Sequence, residues 1–160
     1  MNKIDIKGGQ MTFGQRIELG EILTDKNLSE YQKFRRTMLC LDPEWKTSDL
    51  PKSTAYFEEV LEGIRYWIER EAQDLKYNPT PEEQSAGIDV LGKLTGEMGT
   101  IMAIAKEFST DPDVVLGWKY GKVFRILYVN LQSYLYRVRL DKQYEKKAKA
   151  ESRKGRMGKR

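Results

Sequence analysis

The sequence has no histidine and a single cysteine, Cys40, among its 160 residues. Histidine is the commonest general base and metal ligand, and clustered cysteines are the other usual zinc ligands. One cysteine also excludes a disulfide within the chain, so nothing indicates an oxidising compartment. Carboxylates are the remaining catalytic candidates, and they occupy polar helix faces. We therefore expect no enzymatic activity, no metal and no cofactor.

Long apolar runs are also missing. The first nine residues contain no apolar stretch of signal-peptide length, and no segment approaches the roughly 18 consecutive apolar residues of a membrane span. We expect a cytoplasmic protein that makes no membrane contact.

Aromatic residues and charges are plentiful, with 17 Trp, Tyr and Phe side chains and 32% charged residues. The net charge of +4 is uneven, because residues 141–160 contain nine Lys or Arg against three Asp or Glu, a balance of +6. Residues 1–140 therefore carry −2. We predict one helical domain over residues 1–148 and a basic, disordered tail over 149–160, which serves either solubility or an electrostatic partner.

Apolar residues recur at helical spacing, and capping signals mark several helix starts. Thr12 with Gln15, Asn27 with Glu30, and Thr80 with Glu83 each have the spacing of a capping box. The predicted helices run from Thr12 to Leu23, Asn27 to Leu41, Thr54 to Tyr77, Pro81 to Phe108, and Asp111 to about Lys149. Residues 1–9 form either a small edge strand or a loose arm.

These helices predict an all-α fold in which the last three form an antiparallel bundle and the two shorter N-terminal helices pack across it. Its core is predicted to centre on nine apolar residues: Phe57, Ile64, Ile68, Leu91, Met98, Ile101, Val123, Leu127 and Leu131.

The fourth predicted helix carries a stripe of small residues, Gly92, Gly96, Gly99 and Ala103. Glycine inside a helix costs about 1 kcal/mol relative to alanine, so the stripe calls for an explanation. Either another helix of the same chain packs closely against it, or two chains associate through it. A phosphate-binding loop does not fit, because no Gly-Lys-Ser/Thr sequence follows.

Four aromatic residues are candidates for binding a protein partner. The apolar face of the last helix is wider than one neighbouring helix covers, which leaves Trp118, Phe124 and Tyr128 as candidate contacts. Trp45 lies in an otherwise polar connection, where it either pins the loop to the core or contacts a partner.

The basic tail is the candidate site for nucleic acid, through Lys146, Lys147, Lys149, Arg153, Lys154 and Arg156. Base stacking would need aromatic residues among these cations, and only Tyr144 lies there. Core packing is expected to account for most of Tyr120, Tyr128, Tyr134 and Tyr136.

Two stretches, Thr12-Phe13-Gly14-Gln15-Arg16-Ile17-Glu18-Leu19-Gly20 and Asp111-Pro112-Asp113-Val114-Val115-Leu116-Gly117-Trp118, resemble small helical proteins of tailed-phage and prophage tail modules. The nearest group is the tail assembly chaperones. The resemblance implies a helical body followed by a helix with basic and aromatic residues. It also implies no cofactor, no catalytic residues and a place in the bacterial host cytoplasm.

Such a protein binds the long helical tape-measure protein and keeps it soluble while the tail tube forms. A homo-oligomer fits the same role. The alternative function is that of a small helical protein that binds nucleic acid through its basic tail.

Overall fold

A computed structural model describes residues 3–46 and 50–157, with side chains described except at positions 50, 51 and 152–157. In this part of the chain there are seven α-helices and no β-strand, which confirms the all-α class. The helices are α1 (Phe13–Thr24), α2 (Glu30–Leu41), α3 (Leu50–Asp74), α4 (Pro81–Ser85), α5 (Ile88–Glu107), α6 (Pro112–Leu116) and α7 (Tyr120–Met157).

The capping signals at Thr12 and Thr80 are confirmed. The Thr12 hydroxyl accepts a hydrogen bond from the Gln15 amide at 3.1 Å, and the Gln15 side chain accepts one from the Thr12 amide at 2.9 Å. Thr80 and Glu83 form the same reciprocal pair at the start of α4. These bonds satisfy amides that have no partner within the helix, so they fix where each helix begins.

The predicted start of the second helix at Asn27 is wrong. Asn27 instead donates its amide to the Asp25 side chain at 2.8 Å, in the turn after α1. The cap is Ser29, which forms a capping box with Gln32. Both candidate pairs have the required spacing, and the Asp25 turn decides between them.

Glycines divide the fourth predicted helix. Gly87 has a φ of +86°, which separates α4 from α5, and Gly96 inside α5 has a φ of +48° and a ψ of −139°, which is not helical. A β-carbon added at Gly92 or Gly96 would meet no described atom within 4 Å. Close packing of another helix of residues 3–124 against the stripe is therefore wrong at these two positions.

The last predicted helix is also divided. Asp111 caps α6 by accepting a hydrogen bond from the Asp113 amide at 2.8 Å, and α6 ends at Leu116. An isolated antiparallel bridge joins Thr12 and Lys119 before α7 begins. In a continuous helix, the backbone groups that form this bridge would instead form hydrogen bonds within the helix.

The chain divides after Phe124 into two compact units. The sequence predicts a single domain over residues 1–148. The first unit contains α1 to α6 and the first turn of α7, and the second contains the rest of α7. The sequence predicts a disordered tail over residues 149–160. The backbone is instead helical through Met157, because the Lys, Ala, Glu and Arg residues of this segment favour helix. Residues 158–160 lie outside the described residues.

The core of the first unit centres on α3 and the residues before α1. Its buried apolar side chains are Ile6, Met11, Phe13, Leu19, Ile22, Met38, Leu41, Trp45, Tyr56, Val60, Ile64, Trp67, Ile101, Ile104, Ala105, Val115, Tyr120, Val123 and Phe124. Burial of Ile64, Ile101 and Val123 is confirmed. Burial of Ile68, Leu91 and Met98 is wrong, because each is more than half exposed. Phe57, Leu127 and Leu131 are half-buried.

Residues 3–9 form neither a strand nor a loose arm. The Trp67 indole nitrogen donates to the Ile6 carbonyl at 2.8 Å, and the Ile4 amide donates to the Tyr56 hydroxyl at 2.9 Å. Ile6 itself is buried. Residues 3–9 therefore pack against α3 as part of the core.

Within the first unit, α1 packs against α2 and α6, α2 against α3, and α5 against α6. The three-helix antiparallel bundle is not seen among these helix pairs and stays a prediction. Arg16 on α1 forms a two-bond ion pair with Glu71 on α3, at 2.9 and 3.1 Å, and Glu71 also accepts from the Tyr120 hydroxyl at 2.6 Å. Burial and then Glu71 raise the pKa of Tyr120, so its hydroxyl stays protonated as a donor.

Candidate protein interaction surface

An unpartnered stretch of helix α5 is the most unusual surface of the first unit. Every residue from Asp89 to Met98 is exposed, including the large apolar ones. Val90, Leu91, Leu94, Met98 and Met102 are each more than half exposed, and Leu94 reaches 80%. We call these five residues the α5 apolar surface.

The sequence places these side chains close together within each half of α5. Val90, Leu91 and Leu94 lie three and four residues apart, so their side chains are neighbours on one helix face. Gly96 interrupts the helix, and beyond it Met98 and Met102, four residues apart, are neighbours on one face of the second half. Single exposed apolar residues are ordinary, whereas a contiguous group of them marks an interaction site.

The two halves of α5 differ in how many of their side chains are buried in the first unit. Ile101, Ile104 and Ala105 are buried and anchor the C-terminal half. No residue from Asp89 to Met98 is buried, so that segment gains little from packing. A short helix that packs against nothing is marginal in water. We therefore expect a partner to order it further.

Shallow concavities flank the α5 apolar surface. One of about 230 Å³ lies beside Ile88 and Leu91, against Glu83 and Gly87. Another of about 540 Å³ lies beside Met102, against Ala105 and Pro112. Each could accept a side chain from a partner helix.

Two of the four aromatic candidates are buried, so the prediction that they contact a partner is corrected. The Trp45 indole nitrogen donates to the Ser53 hydroxyl at 2.7 Å, and its ring packs edge-on against Phe34. Trp45 therefore pins its loop to the core. Phe124 packs against Trp67 at a ring-centroid distance of 5.1 Å. Both side chains are covered within the chain.

The other two aromatic candidates remain accessible. Trp118 is half-buried, with the Lys122 ammonium 3.4 Å from its ring centroid and Phe108 edge-on at 5.3 Å. Tyr128 is 40% exposed. Their contact with a partner stays a prediction.

The cations predicted to contact nucleic acid lie along α7. Lys146, Lys147 and Lys149 are exposed, and the Lys149 ammonium lies 4.0 Å from Glu145. Arg153, Lys154 and Arg156 also lie within α7, and their side chains lie outside the described residues.

The tyrosines correct one prediction. Tyr120 is buried, but Tyr128, Tyr134 and Tyr136 are exposed, so core packing does not account for most of the four. Tyr144 is exposed and lies between Lys142 and Lys146, whereas no Lys or Arg lies between Tyr128 and Tyr136.

Sequence reasoning missed the α5 apolar surface because it assigned Leu91 and Met98 to the core. Apolar residues at helical spacing look the same whether they face the chain's own core or a partner. The usable signal was the glycine content of the same segment. Of the four glycines from Gly87 to Gly99, Gly87 and Gly96 have non-helical backbone, and a β-carbon at Gly92 or Gly96 would meet no described atom within 4 Å.

In the described part of the chain, no group of three acidic or cysteine side chains could hold a metal ion. Burial, and then the neighbouring Glu18 carboxylate, raise the pKa of the Cys40 thiol to about 12, so it stays protonated at neutral pH.

Between residues 3 and 157, outside the gap at 47–49, no helix has the length and apolar character needed to cross a bilayer. Comparisons with protein-family models, with curated proteins and with solved structures found no match.

Proposed function

We propose that the protein is a non-enzymatic assembly factor of a phage or prophage tail, a chaperone that binds an apolar helical segment of a partner such as the tape-measure protein. The observation that carries this proposal is the α5 apolar surface, five large apolar side chains that are each more than half exposed. The resemblance at Thr12–Gly20 and Asp111–Trp118 supplies the partner class.

The chemistry of the surface favours a helical target. Apolar anchors three and four residues apart are how one amphipathic helix recognises another. Met98 and Met102 have flexible, polarizable side chains, which accommodate targets of different sequence. A chaperone of a long protein must accept many successive segments, so such adaptability suits the role.

The expected affinity follows from the area that remains to be covered. Full burial of one such side chain contributes about 1.5–3 kcal/mol, and these five are already partly covered. Their sum, roughly 5–9 kcal/mol, is comparable with the lower part of the roughly 4–15 kcal/mol that association costs. The difference is at most about 5 kcal/mol, which corresponds to a Kd of roughly 0.2 mM or weaker. We therefore expect this surface alone to bind weakly, which lets the partner be released into the growing tail.

Leu94→Glu should weaken capture of an apolar partner helix by about tenfold or more, because binding would have to desolvate a charge. Leu94 is 80% exposed and glutamate favours helix, so folding should be unaffected. Isothermal titration calorimetry with a synthetic tape-measure helix gives the affinity.

The matched control is Lys93→Glu, which places the same side chain at the neighbouring exposed position of the same helix. It should bind within about twofold of the unmodified protein. Equal binding by all three proteins would remove the α5 apolar surface from the proposal.

A second candidate function is nucleic-acid binding through α7, and the exposed tyrosines favour it. Tyr144 is exposed between Lys142 and Lys146, and Tyr136 is exposed beside Arg137, an arrangement that allows base stacking together with phosphate contacts. Replacing Lys146, Lys147 and Lys149 with glutamine should lower the slope of log affinity against log salt by about 2, at about 0.7 per phosphate for a single strand.

Fluorescence anisotropy with a labelled oligonucleotide measures this slope. The control replaces three exposed lysines of the first unit, Lys26, Lys46 and Lys52, with glutamine, which leaves α7 intact. A slope that changes equally in both variants, or no binding at low salt, would rule out this second function.

A further inference from the structure

Helices α1 and α2 enclose a groove of about 670 Å³ that the proposed function does not use. Its floor is apolar and includes Ile22, Leu28 and Leu39. Its rim carries three carboxylates, Glu18, Glu21 and Asp25, against one cation, Arg36. We call this concavity the α1/α2 groove, and its lining has a net charge of −2.

Glu18 and Glu21 are the rim carboxylates that a partner can reach, because Asp25 accepts a hydrogen bond from the Asn27 amide at 2.8 Å. The ion pairs among the described residues include none of Glu18, Glu21 and Asp25. Glu18 and Glu21 are exposed. Glu18 and Glu21 are three residues apart on one side of α1, and Asp25, whose backbone is extended, follows at the C-terminal cap of that helix.

A complementary row of cations lies on α7. Arg139, Lys142, Lys146, Lys149 and Arg153 recur at intervals of three, four, three and four residues, which places them on one face of the helix. We call them the basic stripe. The described side chains of the stripe, through Lys149, are all exposed.

The two rows match in spacing as well as in charge. Intervals of three and four residues correspond to axial steps of about 4.5 and 6 Å in any α-helix. Two successive cations of the stripe can therefore face Glu18 and Glu21 together when the two helices lie side by side. Isolated exposed ion pairs contribute little, but a row in register on an apolar floor gives both orientation and attraction.

We propose that the α1/α2 groove of one copy binds the basic stripe of a second copy, so that the protein self-associates by contacts between α7 of one copy and α1 and α2 of another. Every copy carries both a groove and a stripe, so the contact closes into a dimer or continues into a longer assembly. The α5 apolar surface takes no part in this contact. Self-association and capture of an apolar helix can therefore fail independently of one another.

The test is a charge swap in the full chain, followed by sedimentation velocity on nuclease-treated protein. The unmodified protein should associate at about 50 mM salt and dissociate at about 500 mM, where charges are screened. Glu18→Lys/Glu21→Lys and Lys146→Glu/Lys149→Glu should each weaken association about tenfold or more, since like charges then face each other. An equimolar mixture of the two variants should associate again, because each supplies the complement that the other lacks.

Each contrary result overturns the proposal. These are a monomeric unmodified protein at low salt, undiminished association of Lys146→Glu/Lys149→Glu, or a mixture that stays monomeric. If association returned only when the two glutamate and the two lysine changes were combined in one chain, the contact would lie within the chain. If nuclease treatment alone abolished association of the unmodified protein, the stripe would be assigned to nucleic-acid binding. Circular dichroism checks folding, and the exposed lysine variant removes no core contact.

Discussion

Trp67→Ala should destabilise the first unit by about 3–5 kcal/mol, the range found when large aromatic core side chains are truncated. The Trp67 ring contacts Tyr120 and Phe124 at centroid distances of 5.0 and 5.1 Å, and its nitrogen donates to the Ile6 carbonyl. It is only 4% exposed. Native domains are stable by about 5–15 kcal/mol, so this loss removes a large part of the total. Urea unfolding followed by circular dichroism measures it.

Ile68→Ala is the matched control, because Ile68 is the next residue of α3 and is half-exposed. It should cost well under about 1 kcal/mol. Trp67→Phe should fall between the two, since the ring contacts are largely kept while the Ile6 carbonyl loses one of its two donors and keeps the Gly9 amide. Equal unfolding midpoints for Trp67→Ala and Ile68→Ala would contradict the described core.

Gly9→Ala should destabilise the first unit by about 2–4 kcal/mol, from backbone strain and a steric clash together. Gly9 has a φ of +71°, a conformation that disfavours a β-carbon. An added β-carbon would also lie 2.8 Å from the Gly121 α-carbon and 2.9 Å from its nitrogen. These are backbone atoms at the start of α7, so they cannot rotate away. Thermal and urea unfolding measure the loss.

Gly121→Ala tests the same contact from its other side. Its β-carbon would meet the nearest Gly9 atoms at 3.5 Å, an ordinary van der Waals distance. Alanine also favours helix by about 1 kcal/mol over glycine, so the change should be neutral or stabilising by up to about that amount. Equal destabilisation by Gly9→Ala and Gly121→Ala would contradict this arrangement.

Local features of the fold could be predicted from the sequence because a few neighbouring residues decide them. The Thr12 and Thr80 capping boxes and the Asp111 cap need only side chains within three positions of each helix start. The cap at Ser29 was missed because two boxes overlap in one turn. The separation of α6 from α7 depends on a bridge between Thr12 and Lys119, which no local pattern reveals.

The candidate site was harder to predict, because it depends on which apolar residues the chain itself covers. Leu94 and Met98 have the pattern of core residues and are exposed, whereas Trp45 and Phe124 were candidates for a surface and are buried. Trp45 finds its hydrogen-bond partner, Ser53, across the loop, and Phe124 finds Trp67 on another helix. Only the tertiary contacts separate these cases.

Hydrogen exchange of the full-length protein, with and without a tape-measure helix, tests the central claim that α5 binds an apolar helical partner. Amides from Asp89 to Met98 should exchange quickly in the free protein, since this segment is exposed, and slow markedly in the complex. Residues 141–157 of α7 should change little. Protection confined to α7, with α5 unchanged, would contradict the account.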